Sequence, residues 1–241
     1  EHALEPNHSS KPLKELGALF KLAWPMFLAQ SSMTAMSLAD SMMASHAGTD
    51  DLAAVALGAS VWLPIFLSLS GIMMALTPVV AYQVGAKATH NVRSELHQSL
   101  ILAAILGLVA VVMLRNATPL FAWLGVSEVL QIKSQNYLDA ISWGLPLLLL
   151  FQSMRSFAEA FGLTRPMMRI GLFAVVINIP LNYMLIFGSF GLPELGGVGC
   201  GYASSIAFLA MFLMSLKLLH ISPHFRHLDL WKTRIQLDWP R

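Results

Sequence analysis

One carboxylate sets the chemical question. Asp40 lies in QSSMTAMSLADS, Gln30 to Ser41, and is the only acidic residue in the middle of any long apolar stretch of the chain. A charge at membrane depth costs at least about 2.5–3.5 kcal/mol, is rare, and by default marks a functional site facing a cavity. At 100° per residue, Gln30, Thr34, Ser37 and Ser41 fall within one stripe, with Asp40 on its edge. Met33 and Met36 flank Asp40 on the other side. Thioethers adapt to varied ligand shapes. Gln30, Met33, Thr34, Met36 and Ser37 are therefore candidate lining of a substrate cavity. The hydroxyls by themselves read as glue between helices; the carboxylate turns the strip into a candidate wall.

A second polar set stands in INIPLNYM, Ile177 to Met184. Asn178 and Asn182 are four residues apart, so both amides leave one helical face. Pro180 between them has no N–H to donate and crowds the carbonyl of Val176. Amide and backbone oxygens beside a carboxylate suit a hard monovalent cation. Asp40, Asn178 and Asn182 form a candidate ion site shared by two segments. The competing reading is a kinked helix whose asparagines bond their neighbours. Arg155 and Glu159, one turn apart, are expected to neutralise each other. GGVGCG, 196–201, lacks the Lys-Ser/Thr of a phosphate loop and reads as a close-approach surface. The eight histidines show no metal-ligand spacing, and the single Cys200 allows no intrachain disulfide. Trp24, Trp62, Trp123, Trp143, Trp231 and Trp239 lie mostly near segment ends, as interfacial anchors do.

The elements that must carry these residues are long and apolar. The chain is 56% hydrophobic and 12% charged, with a mean hydropathy of +0.64, whereas a soluble domain carries about 25% charged residues. An all-α integral membrane protein follows. Six spans are expected, at about 16–44, 52–83, 96–114, 136–161, 167–188 and 198–219. Residues 1–15 read as a polar tail and 220–241 as a polar linker. Thr49 or Asp50 is a candidate cap for the second span. A surface-lying amphipathic piece is expected around Pro119–Leu124, and a tight turn at GLTRP, 162–166. Six spans put both ends on one face. That face collects Lys11, Lys14, Lys21, Lys87, Arg93, Arg165, Arg169, Lys217, Arg226, Lys232, Arg234 and Arg241, against Arg115 and Lys133 opposite. Positive residues favour the cytoplasmic side, so both ends are expected there. No nucleophile–base set or second catalytic carboxylate supports an intramembrane enzyme, and no charged ring or filter motif supports a channel. The net charge of +2 carries no sign of a nucleic-acid partner.

LAWPMFLAQ (22–30), MSLADSMMA (36–44), DLAAVALGASVWLP (51–64), MALTPVVAYQVGA (74–86), RSFAEAFGLTRPMM (155–168), NIPLNYMLIFG (178–188) and GLPELGGVGCGYAS (191–204) occur in order. Together they resemble the multidrug and toxic compound extrusion (MATE) transporters, in their bacterial NorM-like branch. The resemblance implies a six-helix bundle equivalent to the N-terminal lobe of a twelve-helix exporter. The partners it implies are the lipid bilayer, small-molecule drugs and a C-terminal six-helix lobe, in the same or a separate chain. The activity it implies is efflux of lipophilic cationic drugs across the bacterial inner membrane, with Na⁺ or H⁺ as coupling cation and no further cofactor. The acidic residue of the family's first helix matches Asp40, and two amide or acid positions of its fifth match Asn178 and Asn182. A sixth-helix hydroxyl falls near Ser204. Pro25 and Pro180 are the expected hinges. The alternative is a lobe that binds without transporting, or half of a split transporter.

Overall fold

The computed structural model describes residues 11–86, 92–223 and 225, and leaves aside the side chains of 11–15, 18 and 22. Lys87, most of the polar tail, and most of the linker with Trp231 and Trp239 lie outside the described residues. Nine α-helices make up the described part: α1 Lys11–Ala47, α2 Thr49–Met74, α3 Leu76–Gly85, α4 Val92–Arg115, α5 Thr118–Trp123, α6 Glu128–Ser142, α7 Leu145–Ala160, α8 Thr164–Ile186 and α9 Gly197–Ile221. Thr49–Gly85, Val92–Arg115, Thr164–Ile186 and Gly197–Ile221 are each long and apolar enough to cross a membrane. α1 and the α6–α7 pair complete six segments. On α4, Ile101, Ile105, Leu108 and Val112 are exposed along one stripe, while Leu96, Ala103, Gly107 and Ala110 are buried on the opposite one. Helices apolar on their outer face as well as their inner one belong in lipid.

Two expected spans are divided, each at a proline. The second is cut at Ala75 and the fourth at Trp143–Gly144. Pro78 stands four residues after Met74, and Pro146 four after Ser142. In each case the ring crowds the last carbonyl of the preceding helix and offers it no N–H. Pro25, Pro64 and Pro180 sit inside continuous helices. α1 starts at Lys11, five residues before the expected span, because Pro12 is well tolerated in a first helical turn. α6 likewise starts at Glu128, since the polar run before residue 136 is still helical. The piece around Pro119–Leu124 is α5, with Phe121 wholly buried and Trp123 82% exposed. The turn after α7 has Gly162 at φ +75°, a left-handed conformation that glycine takes without strain.

α7 is the hub. Leu145, Leu148, Leu149, Phe151, Met154 and Phe157 are buried on it, against α4, α9, α2 and α3. α1 lies outside this hub and packs mainly on α8, and α8 in turn packs on α9. At one end of the bundle, Phe157 of α7 and Phe161 just past its end meet Phe225 beyond α9. At the other end the capping expectation fails. Neither Thr49 nor Asp50 caps α2, whose N-cap position is Gly48. Asp51 serves a different helix instead. It accepts the Gly197 N–H at the start of α9 (3.1 Å) and pairs with Lys133 of α6 (3.3 Å). Three helices distant in sequence therefore meet at Asp51. Asp51→Ala should lower stability by about 1 kcal/mol, as loss of a helix cap does. Lys133→Met should cost less, because the ion pair is only half-buried and is partly screened by water. Thermal midpoints of the two variants check the order; equal losses would mean that the charge pair, not the cap, carries the contact.

Candidate functional site

Asp40 comes to the junction of α1, α8 and α9 by simple helical spacing. Pro25, Ala29, Ser32, Met36, Asp40 and Ala44 form the buried stripe of α1. The expected stripe of Gln30, Thr34 and Ser37 is rotated away from α8, and Ser41 donates to the Ser37 carbonyl of its own helix. On α8 the buried stripe is Met167, Gly171, Ala174, Asn178, Asn182 and Ile186, with Pro180 on the exposed face. α9 begins with small residues, and these let it close on its neighbours. A Cβ on Gly199 would stand 2.8 Å from the Leu185 backbone carbon of α8, and one on Gly201 would stand 2.8 Å from the Ala140 Cβ of α6.

The three helices close a ring of hydrogen bonds. Asn182 Nδ2 donates to Asp40 Oδ1 at 2.6 Å and to Asn178 Oδ1 at 3.0 Å. Asn178 Nδ2 donates to Ser204 Oγ at 3.3 Å, and Ser204 Oγ donates to Asp40 Oδ2 at 2.9 Å. Asp40 is 6% exposed, Ser204 2%, and both asparagines 0%. Bonds to an ionised acceptor contribute about 1.5–3 kcal/mol each, so the ring holds the carboxylate in one place. It does not neutralise it. Among the described residues no cation pairs with Asp40, since Arg155 is paired with Glu159 at 2.7 Å. One oxygen of the ring, Asn182 Oδ1, is buried without a partner. A carboxylate, two amide oxygens and a hydroxyl form an all-oxygen set able to hold a proton or a hard monovalent cation.

Asp40 also opens on a cavity of about 250 Å³ between α1, α2 and α9. Gln30, Met33, Thr34, Met36 and Ser37 all line it, joined by Trp62, Phe66, Ser204 and Phe208. Trp62 departs from the interfacial role expected of it. It is 6% exposed and its Nε1 donates to Tyr137 Oη at 3.2 Å. The Tyr137 ring in turn rests on Gly58, where a Cβ would collide with it. Trp24, Trp123 and Trp143 are exposed, as anchors are. The Arg155–Glu159 pair forms as expected and extends to the cavity edge, with Arg155 Nη1 donating to Gln30 Oε1 at 3.5 Å. Tyr137, Trp62, Phe66 and Phe208 are not legible as site residues in the sequence. Phe208 follows Ser204 and Cys200 at four-residue steps on α9, which is the signal that relates them.

Known proteins match this arrangement along most of its length. The family model described as MatE matches residues 25–184. Multidrug resistance protein NorM of Vibrio cholerae is 39% identical over 220 residues, covering 91% of this chain and 48% of the relative. The NorM of Aliivibrio fischeri is 41% identical over 219 residues, with the same coverage. The chain spans about half the length of these curated relatives. Among solved structures, that of the eukaryotic MATE transporter AtDTX14 superposes with a TM-score of 0.84 at 18% identity, over 93% of this chain and 49% of that one. The fold is thus a six-helix membrane bundle equivalent to one lobe of a MATE transporter. With more than half of its residues in the family model, the chain belongs to the MatE family, a family of membrane transporters and not of enzymes.

Proposed function

We propose that this chain forms the N-terminal half of a multidrug exporter that moves drugs outward in exchange for Na⁺ or H⁺. The observation that carries the reading is the closed ring around Asp40, a buried carboxylate held by neutral donors and open on a cavity. Asp40, Asn178 and Asn182, with Ser204, hold the coupling cation. A proton on Asp40 or Na⁺ among the oxygens of these four side chains supplies the positive charge that the ring lacks. The cavity wall suits a lipophilic cationic drug: Met33 and Met36 adapt to its shape, and Trp62, Phe66 and Phe208 offer aromatic faces to its charge. Drug and ion then compete for one carboxylate, and that competition couples their fluxes. Pro25 and Pro180 act as hinges for α1 and α8 between the two states. A ligand shifts such an equilibrium only by its differential affinity for the states. The second wall of the central cavity comes from a second six-helix lobe, in the same or a separate chain.

The distribution of Lys and Arg supports insertion in the bacterial inner membrane with both ends of this chain cytoplasmic. Trp62 supplies the direct test, because it lines the cavity whose wall includes Asp40. In the purified chain, Na⁺ added against choline at constant ionic strength should change the Trp62 emission and saturate. If H⁺ is the coupling ion, a pH titration gives the response instead. The response should vanish in Asp40→Asn and in Trp62→Phe. A response retained in Asp40→Asn removes the carboxylate from the ion site. Saturable binding with no transport once the second lobe is supplied favours the alternative of a non-transporting lobe.

A further inference from the structure

A second cavity lies far from the ring, between the first turns of α8 and the last turns of α9. It is an open groove of about 650 Å³. Ile170, Met214, Leu218 and Ile221 form apolar walls, and Arg169 and Lys217 stand along it. Among the described residues, no acidic side chain lines the groove. Both cations are exposed, and among the described residues neither forms an ion pair. Two unpaired cations on an apolar groove at the end of a membrane helix pair are complementary to one kind of molecule. Its head must be anionic and its body apolar.

We infer that this groove is a binding site for an anionic phospholipid, with the phosphate of the headgroup on Arg169 and Lys217 and an acyl chain along Ile170, Met214, Leu218 and Ile221. Basic pockets between transmembrane helices recognise anionic headgroups in this way. The nearest competitor is the chain's own segment 226–241. It carries Arg226, Lys232, Arg234 and Arg241 against Asp229 and Asp238, so its net charge is that of the groove and disfavours it as occupant. A soluble anion would satisfy the two cations and leave the apolar walls uncovered. The bound lipid would fix α9 against α8, the two helices that carry Ser204 and the asparagine pair.

The full chain in detergent, titrated with phosphatidylglycerol or with phosphatidylcholine and followed by native mass spectrometry, tests this. Phosphatidylglycerol should bind on the order of thirtyfold more tightly, the preference that two surface cations confer. Arg169→Gln with Lys217→Gln should abolish that preference. Arg165→Gln, which removes an exposed cation outside the groove, should leave it intact. Equal binding of the two lipids overturns the inference, as does an equal loss in Arg165→Gln. A chemical cross-link from Lys217 to Lys232 that forms equally with and without phosphatidylglycerol assigns the groove to residues 226–241, and also overturns it. Binding in detergent does not depend on which way the groove faces, so the inference can stand if the cytoplasmic orientation fails.

Discussion

Asp40→Asn should reduce ion-coupled drug efflux to the background rate while leaving expression and insertion intact. The substitution is close to isosteric and the ring can absorb it. The new amide oxygen would still accept from Asn182 Nδ2. The new amide N–H would donate to Ser204 Oγ, which in the native ring donates to Asp40 at 2.9 Å. What changes is the charge. Two charge-assisted bonds become neutral ones, a loss of roughly 1–2 kcal/mol in all. A folded domain survives that, but a site that must bind a cation does not. Ion-driven accumulation of a fluorescent lipophilic cation in inverted vesicles, where export runs into the lumen, measures the effect when they contain the chain together with a second lobe. Asp40→Leu serves as the contrast. It leaves Asn182 Nδ2 and Ser204 Oγ buried without their acceptor, at about 1–3 kcal/mol each, and should lower the thermal midpoint as well. If Asp40→Asn transports at the normal rate, the coupling role assigned to Asp40 is wrong.

The parts of this site legible in the sequence are those where one residue is costly by itself. A carboxylate in an apolar helix and two amides one turn apart announce themselves through the free energy of burying them. Their partners are cheap residues. Ser204 is one hydroxyl in a small-residue run, and nothing local to α9 says that it meets Asp40 rather than its own helix. Ser41 looks equivalent in sequence and donates to the Ser37 carbonyl instead. The rotation of α1 escapes the sequence for a related reason. Polarity places Gln30, Thr34 and Ser37 on the meaningful face, and they do line the cavity. The face that packs on α8 is set by the small residues Ala29, Ser32 and Ala44, whose signal is size and not polarity. Trp62 shows the same limit. Counted with the other tryptophans it suggests an anchor, but it stands ten residues inside the expected span 52–83, and Tyr137, 75 residues away, accepts its N–H there. The two broken spans are readable in principle, since Pro78 and Pro146 stand at the breaks. Pro25, Pro64 and Pro180 leave their helices unbroken, so tertiary packing decides which proline interrupts.

Gly199→Ala should be a damaging single-methyl change beside the ring. The added Cβ would lie 2.8 Å from the Leu185 carbonyl carbon, 2.9 Å from the Ile186 nitrogen and 2.9 Å from the Leu185 oxygen. All three are backbone atoms of α8, so no side chain can rotate out of the way. α9 must move off α8, and the hydrogen bond from Asn178 to Ser204 spans that same helix pair. Overpacking of a closed core costs about 1–3 kcal/mol or more, and here the strain falls on the ring as well. The thermal midpoint should drop and the Trp62 response to the coupling ion should weaken. Gly71→Ala in α2 is the matched control, because nothing lies within 4 Å of the point its methyl would occupy. Removing this helical glycine, in the last turn of α2, should raise stability by up to about 0.5–1 kcal/mol. Opposite signs for the same chemical change would tie the cost to the α8–α9 contact. Equal shifts would mean that helix propensity, not close approach, explains the glycines of α9.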